Sequence, residues 1–275
     1  MYFLNDLEKK YLVNHLLKVS RKVGVSEELR GWSWYQEPLK PYHSIRLPMY
    51  AICSRYCSTA RDVYVRFVLH EKGELSPEMV SGADIHKAVS AVLTSFKEES
   101  GAAIPDQSDP KILSVIEFVE TEAKSALLHQ KTKQPYATKS DILHTSIPFL
   151  IEHRISGELL GLSDLLSIDA VDYLHDIIFD LKVGRKRDFY RLYSTGYALV
   201  FESVYEVPMD IGCTVYVDFR NDQLHITKDL FHISDELRSW WIEERDTKME
   251  LVSNNEDPGR PEHCPGNCMY YFVCR

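Results

Sequence analysis

Between Ser146 and Gly184 the chain is a run of short segments rich in branched residues, "IPFLIEHRISGELLG", "LSDLLSID" and "VDYLHDIIFDLKVG". This run limits the possible folds more than any other feature. Each segment is short, favours strand and ends in turn residues, so the three read as consecutive strands, with Ser156-Gly157 and Asp169-Ala170 as candidate turns. Three consecutive strands joined by tight turns place a sheet at the middle of the chain. On either side the period is helical. The first two dozen residues form an amphipathic pattern, and "MYAICSRYCSTARDVYVRFVL" carries another. Ser76-Pro77-Glu78 opens a helix that continues through "EMVSGADIHKAVSAVLTSFKEE", with Pro near the first turn. "GAAIPDQSDP" interrupts it, and a second long helix follows whose apolar face is drawn by Ile112, Val115, Ile116, Val119 and Leu127. After the strands, "RDFYRLYSTGYALVFESVY" is helical, "CTVYVDFRNDQLHITKDL" is a hairpin turning at Asn221-Asp222, and "DELRSWWIEERDTKMEL" is a final helix. The stretch "GWSWYQEPLKPYHSIRLP" reads as an ordered loop. The class is α/β, without internal repeats.

At 275 residues and 44% hydrophobic, the chain can bury a sizeable core. No apolar run approaches the roughly 18 to 20 residues of a membrane helix, and the N-terminus lacks the uninterrupted apolar segment of a signal peptide. These features place the protein in the cytoplasm. A net charge of -9 gives no global attraction to nucleic acid. Charge distribution matters more than the sum, and "LKVGRKRDFYR" gathers Lys182, Arg185, Lys186, Arg187 and Arg191 into one basic strip.

The end of the third strand segment, "DIIFDLKVG", sets a charged pair against a run fit for burial, where a charge without a partner is expensive. Asp180 and Lys182 are two apart and share one face of a strand. Asp164 precedes the neighbouring segment, so adjacent strands can bring its carboxylate to Asp180. Two carboxylates and a backbone carbonyl suit a hard cation, Mg²⁺ or Mn²⁺, better than a soft one. A lysine beside them can orient an attacking water.

The order Gly-x-x-x-His at 82 to 86, Gly-x-x-Asp at 161 to 164, Asp-x-Lys at 180 to 182 and then Tyr193-x-x-x-Tyr197 resembles the RecB-like nucleases of the PD-(D/E)xK superfamily. The resemblance implies a RecB-like core, a mixed sheet flanked by helices. It also implies His86, Asp164, Asp180 and the carbonyl of Leu181 as metal ligands, with Lys182 catalytic. The family helix usually carries Gln-x-x-x-Tyr. Here Tyr193 stands where the Gln would be, and Tyr197 keeps its place.

Six cysteines are unevenly placed: Cys264, Cys268 and Cys274 crowd the last dozen residues, and Cys53, Cys57 and Cys213 lie elsewhere. In a reducing compartment such clustering points to metal or iron-sulfur ligation rather than disulfides. A four-thiolate site needs one more ligand. Cys213 falls in a strand and suits a packed thiol, whereas Cys53 and Cys57 share a helical face. One N-terminal cysteine, the nuclease motifs, then three cysteines resembles the CRISPR-associated RecB-like exonucleases called Cas-four. The archaeal Csa-one branch is closest, with its "RGWSW" segment and "C-P-x-x-C" tail. Tyr56-Cys57 followed by Arg61-Asp62-x-Tyr64 matches that family's first cysteine motif, although Ser58 stands where proline is common. Cys57 is therefore the implied fourth ligand and Cys53 the reserve.

That resemblance implies a metal-dependent DNA exonuclease of CRISPR adaptation, acting on single-stranded ends before spacer integration. Its implied groups are Mg²⁺ or Mn²⁺ and an iron-sulfur cluster, most simply 4Fe-4S, with zinc as the alternative. The implied partners are DNA, the CRISPR integrase and its companion subunit; no membrane is involved. Arg185, Lys186 and Arg187 are candidates for holding the phosphate backbone, and Tyr193 and Tyr197 for stacking on bases. The rival readings are a non-catalytic DNA-binding or assembly subunit and a DNA-repair nuclease with the same core. The absence of a P-loop assigns any motor to a separate protein. Three regions are expected: an N-terminal helical segment (1–75) with the first cluster cysteine, a nuclease core with a helical insertion (76–252), and a cysteine tail (253–275) packed on the first.

Overall fold

In a computed structural model the described residues are 1–97, 109–264 and 268–274. A five-stranded mixed sheet in sequential order β1-β2-β3-β4-β5 forms the centre. The strands are β1 (Phe149–Ile155), β2 (Leu166–Asp172), β3 (Ile177–Val183), β4 (Ile211–Arg220) and β5 (Gln223–His232). Every neighbouring pair is antiparallel except β3 and β4, which run parallel. A parallel pair needs a crossover. Helix α8 (Arg191–Tyr205) supplies it.

Ten α-helices surround the sheet among the described residues. Four are in the first 70 positions, α1 (Asp6–Tyr11), α2 (Leu17–Val23), α3 (Met49–Cys53) and α4 (Arg61–Phe67). Then come the long α5 (Pro77–Lys97) and α6 (Pro110–Lys133), and α7 (Lys139–Ser146). After α8 follow α9 (Asp235–Ser253) and α10 (Tyr271–Cys274). Helix α6 begins as its sequence dictates, with Asp109 accepting from the Lys111 amide and Pro at the first turn. Most of the segment "GAAIPDQSDP" falls outside the described residues. The hairpin turn at Asn221-Asp222 puts both residues at positive φ, 49° and 59°, the pairing that Asn and Asp tolerate best among side-chain-bearing residues.

The sheet separates two apolar clusters. One joins Phe149, Phe179, Leu181 and Val215 to α5, α6 and the residues around Met1, Tyr2, Leu12 and Leu16. The other joins Ile155, Ile168, Ile178 and Phe231 to α3, α8 and α9. Residues of the first 75 positions thus enter both clusters. The tail meets the same stretch: Arg61 pairs with Asp257 at 2.8 Å, Thr59 donates to the Gly259 carbonyl, and the Glu74 amide donates to Met269.

Beneath the second layer sits a closed polar knot. The fully buried carboxylate of Glu202, on α8, accepts from Arg238 at 2.7 and 2.9 Å, from Arg30 at 2.9 Å, and from the amides of Gly31 and Met209. Gly31 is required there because a Cβ would stand 2.0 Å from the Leu199 carbonyl oxygen. Arg30 and Gly31 open the "RGWSW" segment, so this knot pins that segment to the crossover helix.

Two expectations are corrected. The turn expected at Asp169-Ala170 does not exist: β2 runs through it to Asp172, and the chain turns at Tyr173–Asp176 instead. The physical reason is Asp172, whose carboxylate accepts from the amides of Leu174 and His175 and folds the chain there. Likewise Cys53 and Cys57 do not share a helical face, because α3 ends at Cys53.

Candidate active site

The face of β3 that turns away from Phe179 and Leu181 carries Ile178, Asp180 and Lys182 in alternation, as a period of two demands. Lys182 Nζ donates to Asp180 Oδ1 at 2.8 Å. The other oxygen, Asp180 Oδ2, is buried with no hydrogen-bond partner among the described residues. With the Asp180 side chain only 3% exposed, an unsatisfied carboxylate oxygen there is costly unless a cation or donor meets it.

The ladder between β2 and β3 is short, ending at Ala170↔Phe179. One step further, the carboxylate of Asp169 replaces the backbone: its Oδ2 accepts from the Leu181 amide at 2.7 Å. Its Oδ1 lies 3.4 Å from His86 Nδ1 on α5. Because the amide and carbonyl of a strand residue face the same side, the Leu181 carbonyl is turned toward the same gap. A histidine from one layer and an Asp-Lys pair from the other thus meet at Asp169, where the strands part.

The parting coincides with a backbone irregularity in β1. Glu152, opposite Asp169, has φ of +47°, which a side-chain-bearing residue adopts only when its surroundings enforce it. Phe149 and Ile151 face the first apolar cluster, yet Ile155, of the same parity, faces the second. On β2, Ala170 faces the first and Ile168 and Leu166 the second. The ribbon therefore rolls over at Glu152 and Asp169. Both carboxylates, with His86, Lys87 and Ser167, border a cleft of about 630 Å³.

Charge and burial set the protonation states. Burial pushes Asp180 up to about 6, aided by Asp169 and opposed by Lys182. Burial would also raise Asp169, but His86, Lys182 and the Leu181 amide together hold it below the usual carboxylate range. For His86 burial alone would lower the pKa; the charge of Asp169 and a hydrogen bond to it outweigh that and raise it. Two neighbouring acids are pushed apart in this way, a pattern found at reactive centres.

Asp164 is not part of this group. It is exposed, on the segment before β2, five residues from Asp169 and outside the strand. The Gly-x-x-Asp spacing at 161 to 164 thus puts its acid before β2, and the acid that reaches the Leu181 amide is Asp169, inside the strand. The structure brings His86, Asp180 and Lys182 together with Asp169 and the Leu181 backbone. Glu152 gave no signal in the sequence, and Asp169 gave one only to a reading that carried β2 to Asp172.

Tyr193 and Tyr197 face the site from α8. The Lys182 ammonium lies 3.6 Å from the centroid of the Tyr193 ring, well within cation-π range, and 5.7 Å from that of Tyr190. Burial raises both Tyr193 and Tyr197 well above the ordinary phenol, with Asp180 acting on each, so both remain neutral. Both pack against the second apolar cluster. Arg185, Lys186 and Arg187 are exposed on the β3–α8 loop; Lys186 pairs with Asp229 at 3.0 Å and Arg187 lies over the Tyr56 ring at 5.1 Å. Tyr56 in turn shares a hydrogen bond with Tyr190, hydroxyl to hydroxyl. The residue before Cys57 thus touches the wall of the site.

The cysteines divide by environment. Cys53 is fully buried between α8 and α9, where burial raises its thiol far above the ordinary value and makes it inert. Cys213 is buried in β4, where burial likewise raises its thiol. The tail thiols sit together near Arg61: burial raises Cys268, with Cys264 and Cys274 adding to it, and burial raises Cys274, with Cys57 and Cys264 adding and Arg61 opposing. Cys57 thus acts on Cys274 across the chain, and an all-sulfur donor set would suit zinc or an iron-sulfur cluster. Among the described residues no group of three or more His, Cys, Asp or Glu side chains is placed to hold a metal ion. In the carboxylate site the contacts are instead taken up by Lys182, His86 and the Leu181 amide.

The whole chain, residues 1–275, matches the family described as CRISPR-associated exonuclease Csa1. A CRISPR-associated exonuclease Csa1 of Saccharolobus solfataricus is 29% identical over 273 residues, covering 91% of this chain and 92% of that protein. One from Thermoproteus tenax is 25% identical over 260 residues, with the same coverage of 91% and 92%. The solved structure of SSO0001 aligns over 78% of this chain and 94% of its own, at 11% identity and a TM-score of 0.28, too slight a likeness to bear on the fold. With its match running from first residue to last, the chain belongs to the CRISPR-associated exonuclease Csa1 family.

Proposed function

We propose that this family member is a metal-dependent DNA exonuclease with a RecB-like core, working on single-stranded ends during CRISPR adaptation beside the integrase and its companion subunit. The observation that carries the reading is the juxtaposition of Asp169, Asp180, His86 and Lys182 with one buried carboxylate oxygen left unpartnered. Oxygen and imidazole donors in that set fit Mg²⁺ or Mn²⁺. Asp180 would hold the ion through Oδ2, with Asp169, His86 and the Leu181 carbonyl beside it. The chemistry such an ion supplies is polarisation of the scissile phosphate and a lowered pKa for bound water. Lys182 holds a positive charge at the carboxylate pair and is the group available to position the attacking water. Tyr193, replacing the family Gln, fixes that ammonium from its ring face.

Cys57, Cys264, Cys268 and Cys274 are proposed to hold a 4Fe-4S cluster that ties the tail to the N-terminal segment, with zinc as the competing occupant. Closing a loop of roughly two hundred residues restrains the unfolded chain more than a local clip does. A brown preparation with broad visible absorption supports iron; a colourless one containing zinc overturns it.

The deciding experiment incubates end-labelled single- and double-stranded DNA with Mn²⁺, Mg²⁺ or chelator, for the wild type and Asp180→Asn. Cleavage of the single strand that needs the ion and vanishes in the variant is the expected result. Activity that survives either chelator or the variant refutes the assignment.

A further inference from the structure

The "GWSWYQEPLKPYHSIRLP" segment is unused by the nuclease site, yet it builds a second cleft. It encloses about 550 Å³ and is lined by Trp34, Tyr35, Lys40, His43, Arg46 and Glu158 among others. Trp34 is 36% exposed and Tyr35 62%, with ring centroids 5.8 Å apart and planes nearly perpendicular. Glu158 is already neutralised by an ion pair with Arg46, so Lys40 leaves the cleft with a net positive charge. Exposed rings interleaved with cations form the platform on which unpaired bases stack while phosphates are held alongside.

The cleft is also rigid. Arg245, buried in α9, donates to the carbonyls of Leu39 and Pro38. At the lip, Gly161 has φ of +74°, and a Cβ there would stand 3.2 Å from Pro41 and 2.6 Å from Met249 Cε. Behind Trp34, Gly31 is held against α8 by Glu202. A surface loop selected only for solubility has no need of such anchoring, and preorganisation is what lowers the ordering cost of binding. The lip is eight residues before Asp169, at most about 28 Å of extended chain, so one strand of DNA can reach both.

We propose that this cleft binds an unpaired base and the adjoining phosphate of single-stranded DNA, as a second contact for the strand that enters the nuclease site. For the identity of its strand the inference rests on the nuclease reading; binding at the cleft itself does not require cleavage.

The test is fluorescence anisotropy of labelled oligo-dT and of a blunt hairpin duplex, in chelator so that no cleavage occurs, across a salt series. Trp34→Ala and Trp34→Ala with Tyr35→Ala should weaken oligo-dT binding by roughly 5- to 150-fold, the ordinary worth of one base-aromatic stack, and leave the duplex unchanged. Trp34→Phe should retain most of the affinity, which separates ring loss from misfolding. Lys40→Gln should instead flatten the salt dependence by about 0.7 in log-log slope, one phosphate contact to a single strand. Unchanged oligo-dT affinity in the aromatic variants overturns the proposal. So does an equal loss for single strand and duplex, or tighter binding of oligo-U than of oligo-dT. Cleavage measured separately with Mn²⁺ keeps the outcomes distinct: an inactive protein whose oligo-dT binding depends on Trp34 would sink the nuclease reading and leave the cleft standing.

Discussion

The ring of Tyr193 lies 3.6 Å from Lys182 Nζ, while the same nitrogen is 2.8 Å from Asp180 Oδ1. The ammonium is thus fixed by one carboxylate and one aromatic face. If Tyr193 acts through its ring, Tyr193→Phe should cleave DNA within about twofold of wild type. Tyr193→Leu, which keeps an apolar side chain and removes the ring, should lose roughly 2- to 30-fold, the range of a cation-π contact of 0.5 to 2 kcal/mol. A Phe variant as impaired as the Leu variant would assign the role to the hydroxyl instead.

The second acid distinguishes two versions of the site. Asp169 touches His86 and the Leu181 amide, whereas Asp164 is exposed beyond the strand. Asp169→Asn should lower cleavage by roughly 10- to 100-fold, the usual loss when a carboxylate that orients a metal site is removed. Asp164→Asn should stay within twofold. Manganese binding followed by electron paramagnetic resonance should divide the variants in the same way.

What made the site half legible is the difference between spacing and ladder. A period of two fixes Asp180 and Lys182 to one face whatever the sheet does around them. Asn221-Asp222 announces its turn because those residues accept positive φ. Asp169 was hidden by a neighbour: "SIDAVDYLHD" offers three acids near a turn, and only the amides of Leu174 and His175, gathered by Asp172, decide which of them ends the strand. Glu152 gave no signal, since its φ is imposed by the roll of β1 and β2 and its residue type resists it. The knot at Glu202 was equally silent, because Arg30 and Arg238 are 172 and 36 residues away.

The raised pKa of Asp180 makes a prediction about the metal-free protein. A carboxyl at about 6 in the fold and at its ordinary 3.8 in the unfolded chain binds its proton more tightly when folded. Its contribution to stability is full below pH 3.8 and is lost as pH rises through 6. In chelator, the unfolding free energy of wild type should therefore rise between pH 7 and pH 5 relative to Asp180→Asn, by about 1.3 kcal/mol. Parallel pH profiles for the two proteins would show that Asp180 is ionised throughout, with Lys182 prevailing over burial.

Glu202 tests whether the "RGWSW" segment is held by charge or by shape. Its fully buried carboxylate accepts five hydrogen bonds, two from Arg238, one from Arg30 and two from backbone amides. Removing it strands one guanidinium with no exposure at all, although Asp210 still faces both arginines, at 3.4 Å from Arg238. Breaking a buried pair costs about 3 to 5 kcal/mol. For a chain of this size that lowers the melting midpoint by roughly 6 to 20 °C in Glu202→Ala. Glu202→Gln keeps the acceptor oxygen and the volume, so it should recover the contacts of Gly31 and Met209 in part and fall between the two. A double variant, Glu202→Leu with Arg238→Met, removes both buried charges, and it should be more stable than Glu202→Ala because no ion is left without a counterpart. If it is less stable, the knot is held by its hydrogen-bond geometry, and the segment that carries Trp34 should then become susceptible to proteolysis in the double variant before the rest of the chain.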